Sequence, residues 1–343
     1  MEGTEGVKIV SLALPRPIGG GNTELGATLL LFRRMGWDVT AYSMSPEPPD
    51  NPWPDRLRGA GCTVVMDPMA AANLKDALCI SLCCQKAALL WPKLKGQGCR
   101  LIWSPCMSTA LHYEREVFRT CPPTAVHFQS VFASERRLPD FLLWGCKTHI
   151  LIPGAFDFDS FPFRPKLHNG HFTVGYLARA CRTKWPNNLW EILSKAKSAS
   201  RVNLRFMGQG WNEDLEHRIG APPRWADMHP EGWMESADFL SRCHCLFAAC
   251  HHDVENWPRI GLEAMATGVP VVADDSGGWP DMLNGAGLLV GSEAEAVEVI
   301  RKLATNDVFR LDMADRARAR VERITNLTWL ASEWESAMHG FET

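Results

Sequence analysis

The sequence predicts an α/β protein of two domains, each wound around a parallel sheet. Three observations carry that expectation. The chain has 343 residues, more than one ordinary domain of roughly 100–200. Short apolar runs alternate with helix-length stretches, the pattern of strands joined by crossover helices. The alternation restarts at Phe172, after residues 156–170, which hold Pro162 and Pro165 and little periodicity.

Residues 7–14 form an apolar run suited to a strand buried on both faces. A Pro/Gly loop follows over 15–21, then a helical stretch from about Thr23 to Met35 that Gly36 closes. Residues 38–42, 62–66, 77–82, 100–103, 124–128 and 148–152 read as further strands. The second series begins with a strand at 172–177, a helix at 188–199 and a strand at 203–207 that runs into Gly208-Gln209-Gly210. It continues with strands at 246–249 and 269–273 around a helix at 259–267, which Gly268 stops. The expected boundaries are 1–160 for the first domain and 161–326 for the second. Residues 327–343, with Trp329 and Trp334, are expected to form a helix that packs back on the first. Two such halves joined by a hinge would face across a cleft, the usual ligand site of these folds.

Composition narrows the function. With 46% apolar and 22% charged residues, and 36 Lys+Arg against 39 Asp+Glu, the formal charge is −3. A protein that coats nucleic acid carries a basic excess, so no nucleic-acid partner is expected. No uncharged apolar run nears the roughly 18 residues of a membrane span. The acidic start Met1-Glu2-Gly3-Thr4-Glu5 does not read as a secretory signal. The 12 cysteines then read as reduced core residues, and the expected setting is the cytoplasm. Between Asp76 and Glu114 no acid occurs, while Lys86, Lys93, Lys95 and Arg100 stand among Leu89, Leu90 and Trp91. This is either a solvated basic helix face or a patch for anionic lipid head groups, which leaves peripheral contact with the inner membrane face open.

The most specific segment is 255–273, Glu255-Asn256-Trp257-Pro258-Arg259-Ile260-Gly261-Leu262-Glu263-Ala264-Met265-Ala266-Thr267-Gly268-Val269-Pro270-Val271-Val272-Ala273. One carboxylate precedes a helix and a second lies eight positions on, in its first turns. A helix start offers free N–H groups and a positive dipole end to a phosphate or a sugar hydroxyl. A carboxylate one turn in can take two hydroxyls of a ribose.

This segment resembles the family-4 retaining glycosyltransferases of the GT-B fold, two Rossmann-like domains, which carry E-x7-E with the second Glu opening E-A-M-A-x-G-x-P-V-V. The resemblance continues at Gly277-Gly278 with Asp281, at Gly287-Leu288-Leu289-Val290, and at Ile152-Pro153-Gly154-Ala155-Phe156-Asp157, which is similar to the family's inter-domain I-P-N-G-V-D. Gly19, Gly20 and Gly21 fit its N-terminal glycine loop; they lack the G-x-G-x-x-G spacing of a dinucleotide fingerprint.

The resemblance implies a metal-independent transfer of a sugar from a nucleotide-diphosphate sugar, UDP or GDP, to an acceptor hydroxyl. Glu263 would hold the ribose and Glu255 the donor sugar; Trp257, Pro258, Arg259 and Ile260 would face the donor, as would Gly208. Cations must then neutralise the departing diphosphate. Relatives place an Arg directly after the Gly of the second domain's first strand, where this chain has Tyr176; Lys184 is therefore assigned first, then Arg179, with Arg182 as its substitute. Many relatives also have a His after a strand of the first domain, but Ser104-Pro105-Cys106-Met107-Ser108 contains none. His127 and His112 are the nearby candidates, His127 at a strand end. The acceptor itself is unspecified: a sugar, a lipid-linked glycan or a small molecule.

Three other signals carry less. Cys243-His244-Cys245 with Cys250-His251-His252 has metal-ligand density, but a strand there would turn successive side chains to opposite faces. Asp157-Phe158-Asp159 lies in the inter-domain match, so no catalytic metal is expected. Asn326-Leu327-Thr328 is a glycosylation sequon only in a secreted chain. The rival readings are an epimerase or hydrolase of the same fold, a silent sugar-nucleotide binding module, and a transferase acting on DNA bases.

Overall fold

The computed structural model describes residues 6–17, 19–167, 170–181, 183–249 and 254–342. The chain divides into two units, one of 1–156 with 325–343 and one of 157–324. The first break falls just before the expected 160/161. Phe156 is buried in the first unit, whereas the next residues pack on the second: the Arg164 amide donates to the Thr267 carbonyl at 2.9 Å. Gly268, at φ +80°, is the left-handed end of its helix, and a Cβ there would meet Phe163 at 2.6 Å.

In the first unit the strands are β1 (Lys8–Ser11), β2 (Asp38–Tyr42), β3 (Thr63–Val65), β4 (Leu78–Leu82), β5 (Arg100–Ser104), β6 (Ala125–Phe128) and β7 (Thr148–Leu151). They form one sheet in the order β3-β2-β1-β4-β5-β6-β7, with every pair parallel. Helices α1 (Gly20–Arg34), α2 (Trp53–Gly59), α3 (Gln85–Gly96), α4 (His112–Phe118) and α5 (Val131–Leu143) connect them. Ile9 joins a core with Leu29, Phe32 and Trp37, and its neighbour Val10 joins a different one with Trp91, Trp103 and Phe128. Burial on both faces is why these strands read as unbroken apolar runs.

The second unit repeats the plan with β8 (His171–Leu177), β9 (Asn203–Gln209), β10 (Ala226–His229), β11 (Cys245–Phe247), β12 (Val271–Asp274) and β13 (Leu288–Val290). Their order is β10-β9-β8-β11-β12-β13, again parallel throughout. Its helices are α6 (Leu189–Ala199), α7 (Glu213–Ile219), α8 (Ser236–Leu240), α9 (Arg259–Thr267), α10 (Trp279–Leu283), α11 (Glu293–Thr305) and α12 (Asp307–Ile324). Strands β10 and β13 are additions to the sequence reading; the first, Ala-Asp-Met-His, is a polar edge with no apolar run to betray it. Helix α13 (Leu327–Glu342) belongs to the first unit. There Leu330, Trp334 and Met338 complete a core, and the Trp334 ring meets Phe32 edge-on at 5.0 Å.

Each sheet has one point where the strand order reverses: between β1 and β4, and between β8 and β11. The loops leaving the carboxyl ends of such strands diverge and leave a crevice.

Candidate functional site

In the second unit, the loops after β8 and β11 leave that reversal point carrying Lys184 and Glu255. The Lys184 Nζ lies 2.5 Å from Glu255 Oε1, with 15% and 30% of the side chains exposed. Tyr176, near the end of β8 and 3% exposed, fixes the first loop. Its hydroxyl donates to the Lys184 carbonyl, and its ring lies 4.6 Å from that of Trp185. The indole N–H of Trp185 in turn donates to the Arg179 carbonyl at 3.1 Å.

The second loop is held by the glycine pair. The Gly278 amide donates to the Glu255 carbonyl at 2.7 Å. A Cβ on Gly278 would sit 1.8 Å from the Asn256 carbonyl oxygen, and Gly277 adopts φ +66° against the same backbone. No larger residue lets the two segments pass this closely.

From Glu255 the chain enters α9 through Pro258, with no side chain capping the helix and no acid in its first turn. The start of α9 therefore turns its positive dipole end, not closed by any side chain, towards this loop. Gly261 permits α10 to lie against it, since a Cβ would meet Trp279 at 2.6 Å. Glu263 and Arg259, one turn apart, are 9% and 8% exposed. Burial pushes the Glu263 carboxyl above the usual carboxylate range, against the charge of Arg259 and a hydrogen bond from the Ser236 hydroxyl, which pull it down. Trp257 is also 9% exposed, and its indole N–H has no hydrogen-bond acceptor among the described residues. Ile260 is half-buried beside them.

Other expected site residues are placed differently. Arg179 is exposed, and Arg182 lies outside the described residues. Gly208 sits inside the sheet, paired with Tyr176 and Met228, where a Cβ would run into the Met228 side chain at 2.5 Å. Its place is within the strand, where the Met228 side chain fills the space a Cβ would take. The close approach occurs two residues later: Gly210, at φ +101°, passes so near the Ala178 carbonyl that a Cβ would lie 1.7 Å from it. His244 accepts from the Thr173 amide through Nδ1 at 3.0 Å, and burial drops its pKa to about 4. Residues 250–252 lie outside the described residues, and among those described no three His, Cys, Asp or Glu side chains gather as a metal site.

In the first unit, Gly19 caps α1 at φ +110°, a conformation that favours glycine, and Gly20 and Gly21 form the first turn. This is why the helix starts before the Thr23 expected from the sequence. A cavity of about 490 Å³ opens at the β1–β4 reversal, lined by Arg16, Gly21, Asn22, Cys83, Lys86 and Cys106 among others. His127 does not reach it as a free base. The ring is 4% exposed, its Nδ1 bonds Ser104 Oγ at 2.9 Å, and its Nε2 bonds the Ile152 carbonyl at 2.8 Å. Burial lowers its pKa to about 4. With both nitrogens engaged and the Trp334 ring 4.8 Å away, it is a packed core residue. His112 is exposed and pairs with Glu116 at 3.2 Å. In α3, Trp91 is fully buried with its N–H on the Pro122 carbonyl at 3.2 Å, so Leu89 alone of the three apolar residues is strongly exposed.

Sequence reasoning did not identify Tyr176 as the anchor of Lys184 or Ser236 as a partner of Glu263. The first had a signal, since a buried aromatic stands where relatives carry a cation.

Comparison with known proteins bears on the fold and on the second unit. Residues 157–320, just under half of the chain, match the family model of glycosyl transferases group 1. No curated protein matches the sequence. Among solved structures, HepE of Anabaena in complex with UDP-glucose superposes with a TM-score of 0.73 at 15% identity, covering 97% of this chain and 99% of that one. Sucrose-phosphate synthase of Thermosynechococcus elongatus gives 0.72 at 15% identity and 98% of each chain. A glycosyltransferase of Rickettsia africae gives 0.69 at 12% identity, also over 98% of each. The fold is therefore GT-B, as the sequence predicts.

Proposed function

We propose that this protein is a retaining, metal-independent glycosyltransferase of family 4 that moves a sugar from a nucleotide-diphosphate sugar to an acceptor hydroxyl. The observation that carries the reading is the Lys184–Glu255 pair at the reversal point of the second sheet, adjoining the uncapped start of α9. The match of residues 157–320 to glycosyl transferases group 1 supports it. HepE, solved with UDP-glucose, favours UDP over GDP.

In this reading the donor diphosphate lies at the positive dipole end of α9 and on Lys184. Glu255 shifts from the lysine to the hydroxyls of the donor sugar, and Glu263 accepts from the ribose. The acceptor oxygen bonds the anomeric carbon on the face from which the phosphate leaves. The carbon–oxygen bond to the diphosphate breaks, and the leaving phosphate oxygen takes the acceptor proton. Lysine and helix dipole, fixed before the reaction, stabilise the charge that develops on the diphosphate. The acceptor is assigned to the cavity beside Gly21, Arg16 and Lys86 in the first unit. The assigned setting is the cytoplasm, with any membrane contact peripheral; among the described residues no helix is long and apolar enough to cross a membrane.

The test is a transfer assay with UDP-sugars on the parent protein and Glu263→Ala. Severe loss of donor binding and turnover in the variant is expected; unchanged binding and turnover overturn the assignment. Product formed without any acceptor would instead indicate a hydrolase or epimerase. Tight donor binding with no turnover over a broad acceptor panel would indicate a binding module.

A further inference from the structure

The cavity of the first unit holds chemistry that glycosyl transfer does not use. Cys83 and Cys106 both line it, both are free thiols and both are partly exposed. Cys83 follows β4 in a left-handed turn at φ +48°, a conformation that a non-glycine residue adopts only when its surroundings impose it. The turn is pinned on both sides: its amide donates to the Ser104 carbonyl at 3.1 Å, and its carbonyl accepts from the Tyr113 hydroxyl at 2.9 Å. Its sulfur is thereby held 2.7 Å from the Cys106 amide nitrogen as an acceptor. The Cys106 thiol neighbours the same sulfur, and that contact together with burial pushes it well above the usual thiol range.

The path through the amide-to-sulfur hydrogen bond is short. Sγ is two bonds from the α-carbon of Cys83, and the amide nitrogen one bond from that of Cys106. The α-carbons are therefore no farther apart than about 7 Å, the upper edge of what a disulfide spans. Cys79 and Cys99 are also neighbours, but both are buried and out of reach of a dissolved oxidant.

We propose that Cys83 and Cys106 are a modification site, a thiol pair that low-molecular-weight disulfides oxidise to an intramolecular disulfide, reshaping the first unit's cavity. The Cys83 thiolate attacks one sulfur of the small disulfide and expels one thiolate. Cys106 then loses its proton to solvent, attacks the Cys83 sulfur of the mixed disulfide and expels the second thiolate. Two protein thiols are oxidised and one small disulfide is reduced to two thiols. The Cys106 sulfur lies 3.7 Å from where a Cβ on Gly21 would be, so its shift towards Cys83 moves the wall beside the first turn of α1. Cys84 is the competitor for Cys83, but as an immediate neighbour it closes only a tight ring.

The experiment treats the full chain with oxidised glutathione and maps disulfides by non-reducing digestion and mass spectrometry. The expected result is a Cys83–Cys106 cross-link with loss of two hydrogens, reversed by dithiothreitol. Cys106→Ser should halt at a mixed disulfide on Cys83. Both thiols remaining free, or a Cys83–Cys84 link, overturns the proposal. This readout stands without the glycosyl-transfer reading. The further expectation, a several-fold loss of acceptor-dependent turnover with donor binding retained, rests on that reading; a mapped disulfide with unchanged turnover overturns the claim that the cavity is reshaped.

Discussion

Lys184 and Glu255 are 71 residues apart in sequence and 2.5 Å apart in space, each on a loop leaving one of two adjacent parallel strands. The contact exists because β8 and β11 are neighbours whose chains diverge at their carboxyl ends. With 15% and 30% of the side chains exposed, the pair is more enclosed than a surface one, and removing the lysine leaves Glu255 without its cation. Lys184→Ala should therefore lower the melting temperature modestly. Turnover should fall by about 10²–10³-fold, the usual effect of removing one preorganised group at a developing charge. Steady-state kinetics beside thermal melts would check this, and a parent-like kcat would refute the role.

Tyr176→Phe probes the support beneath that lysine. The hydroxyl's hydrogen bond to the Lys184 carbonyl contributes about 1 kcal/mol. Its loss should lower stability by that amount and also reduce kcat. Denaturant unfolding and the transfer assay read the two effects, and a change in stability alone would make Tyr176 a core residue only.

Gly278→Ala places a methyl 1.8 Å from the Asn256 carbonyl. The backbone must move, with a strain of about 1–3 kcal/mol, and the Glu255 loop moves with it. A folded, less stable protein with strongly reduced donor binding is expected from calorimetry; full donor affinity would show that the loop is not positioned by this contact.

His127 gives a pH signature. Its folded pKa of about 4 lies below the unfolded value near 6.5. The unfolded chain thus gains a proton that the folded one refuses as the pH falls through 6.5, and stability drops until about pH 4, where both are protonated. The window is worth up to about 3 kcal/mol. His127→Gln should flatten stability between those pH values and keep turnover per folded molecule; a hundred-fold fall in kcat would restore His127 as a catalytic base.

Glu263 carries the opposite sign. Its raised carboxyl pKa makes the folded state bind a proton more tightly than the unfolded chain. Stability therefore declines as the pH rises from the ordinary carboxylate value to the raised one, and stays at its lower level above it. Glu263→Gln removes the titration, so unfolding curves across that window should show a shallower decline than the parent.

Chelation offers an independent check. If, as proposed, Lys184 and the α9 start supply the positive field, EDTA should leave turnover intact. Loss of activity that Mg²⁺ or Mn²⁺ restores would refute metal independence.

The fold was legible because parallel strands buried on both faces write unbroken apolar runs, as at Ile9-Val10 and Val271-Val272. Only the short edges β10 and β13 escaped. At the site, the eight-residue spacing of the two glutamates says little alone; they and Lys184 were picked out through the resemblance to the family-4 motifs around them. Pairing across the sheet was not visible, since it depends on strand order rather than on any local pattern. His127 looked like a strand-end residue near a ligand. Only the fold reveals that Ser104, Ile152 and Trp334 enclose it. The strand expected to end at Met207 continues through Gly208 to Gln209, and only the pairing shows that.

Helix α13 closes a core begun by Phe32, yet it follows the whole of the second unit in the chain. On the ribosome, residues 157–324 are complete and contiguous before Trp334 has been made. The second unit's core needs nothing made after it, whereas the core around Phe32 stays open on one side until residues 330–338 exist to cover it.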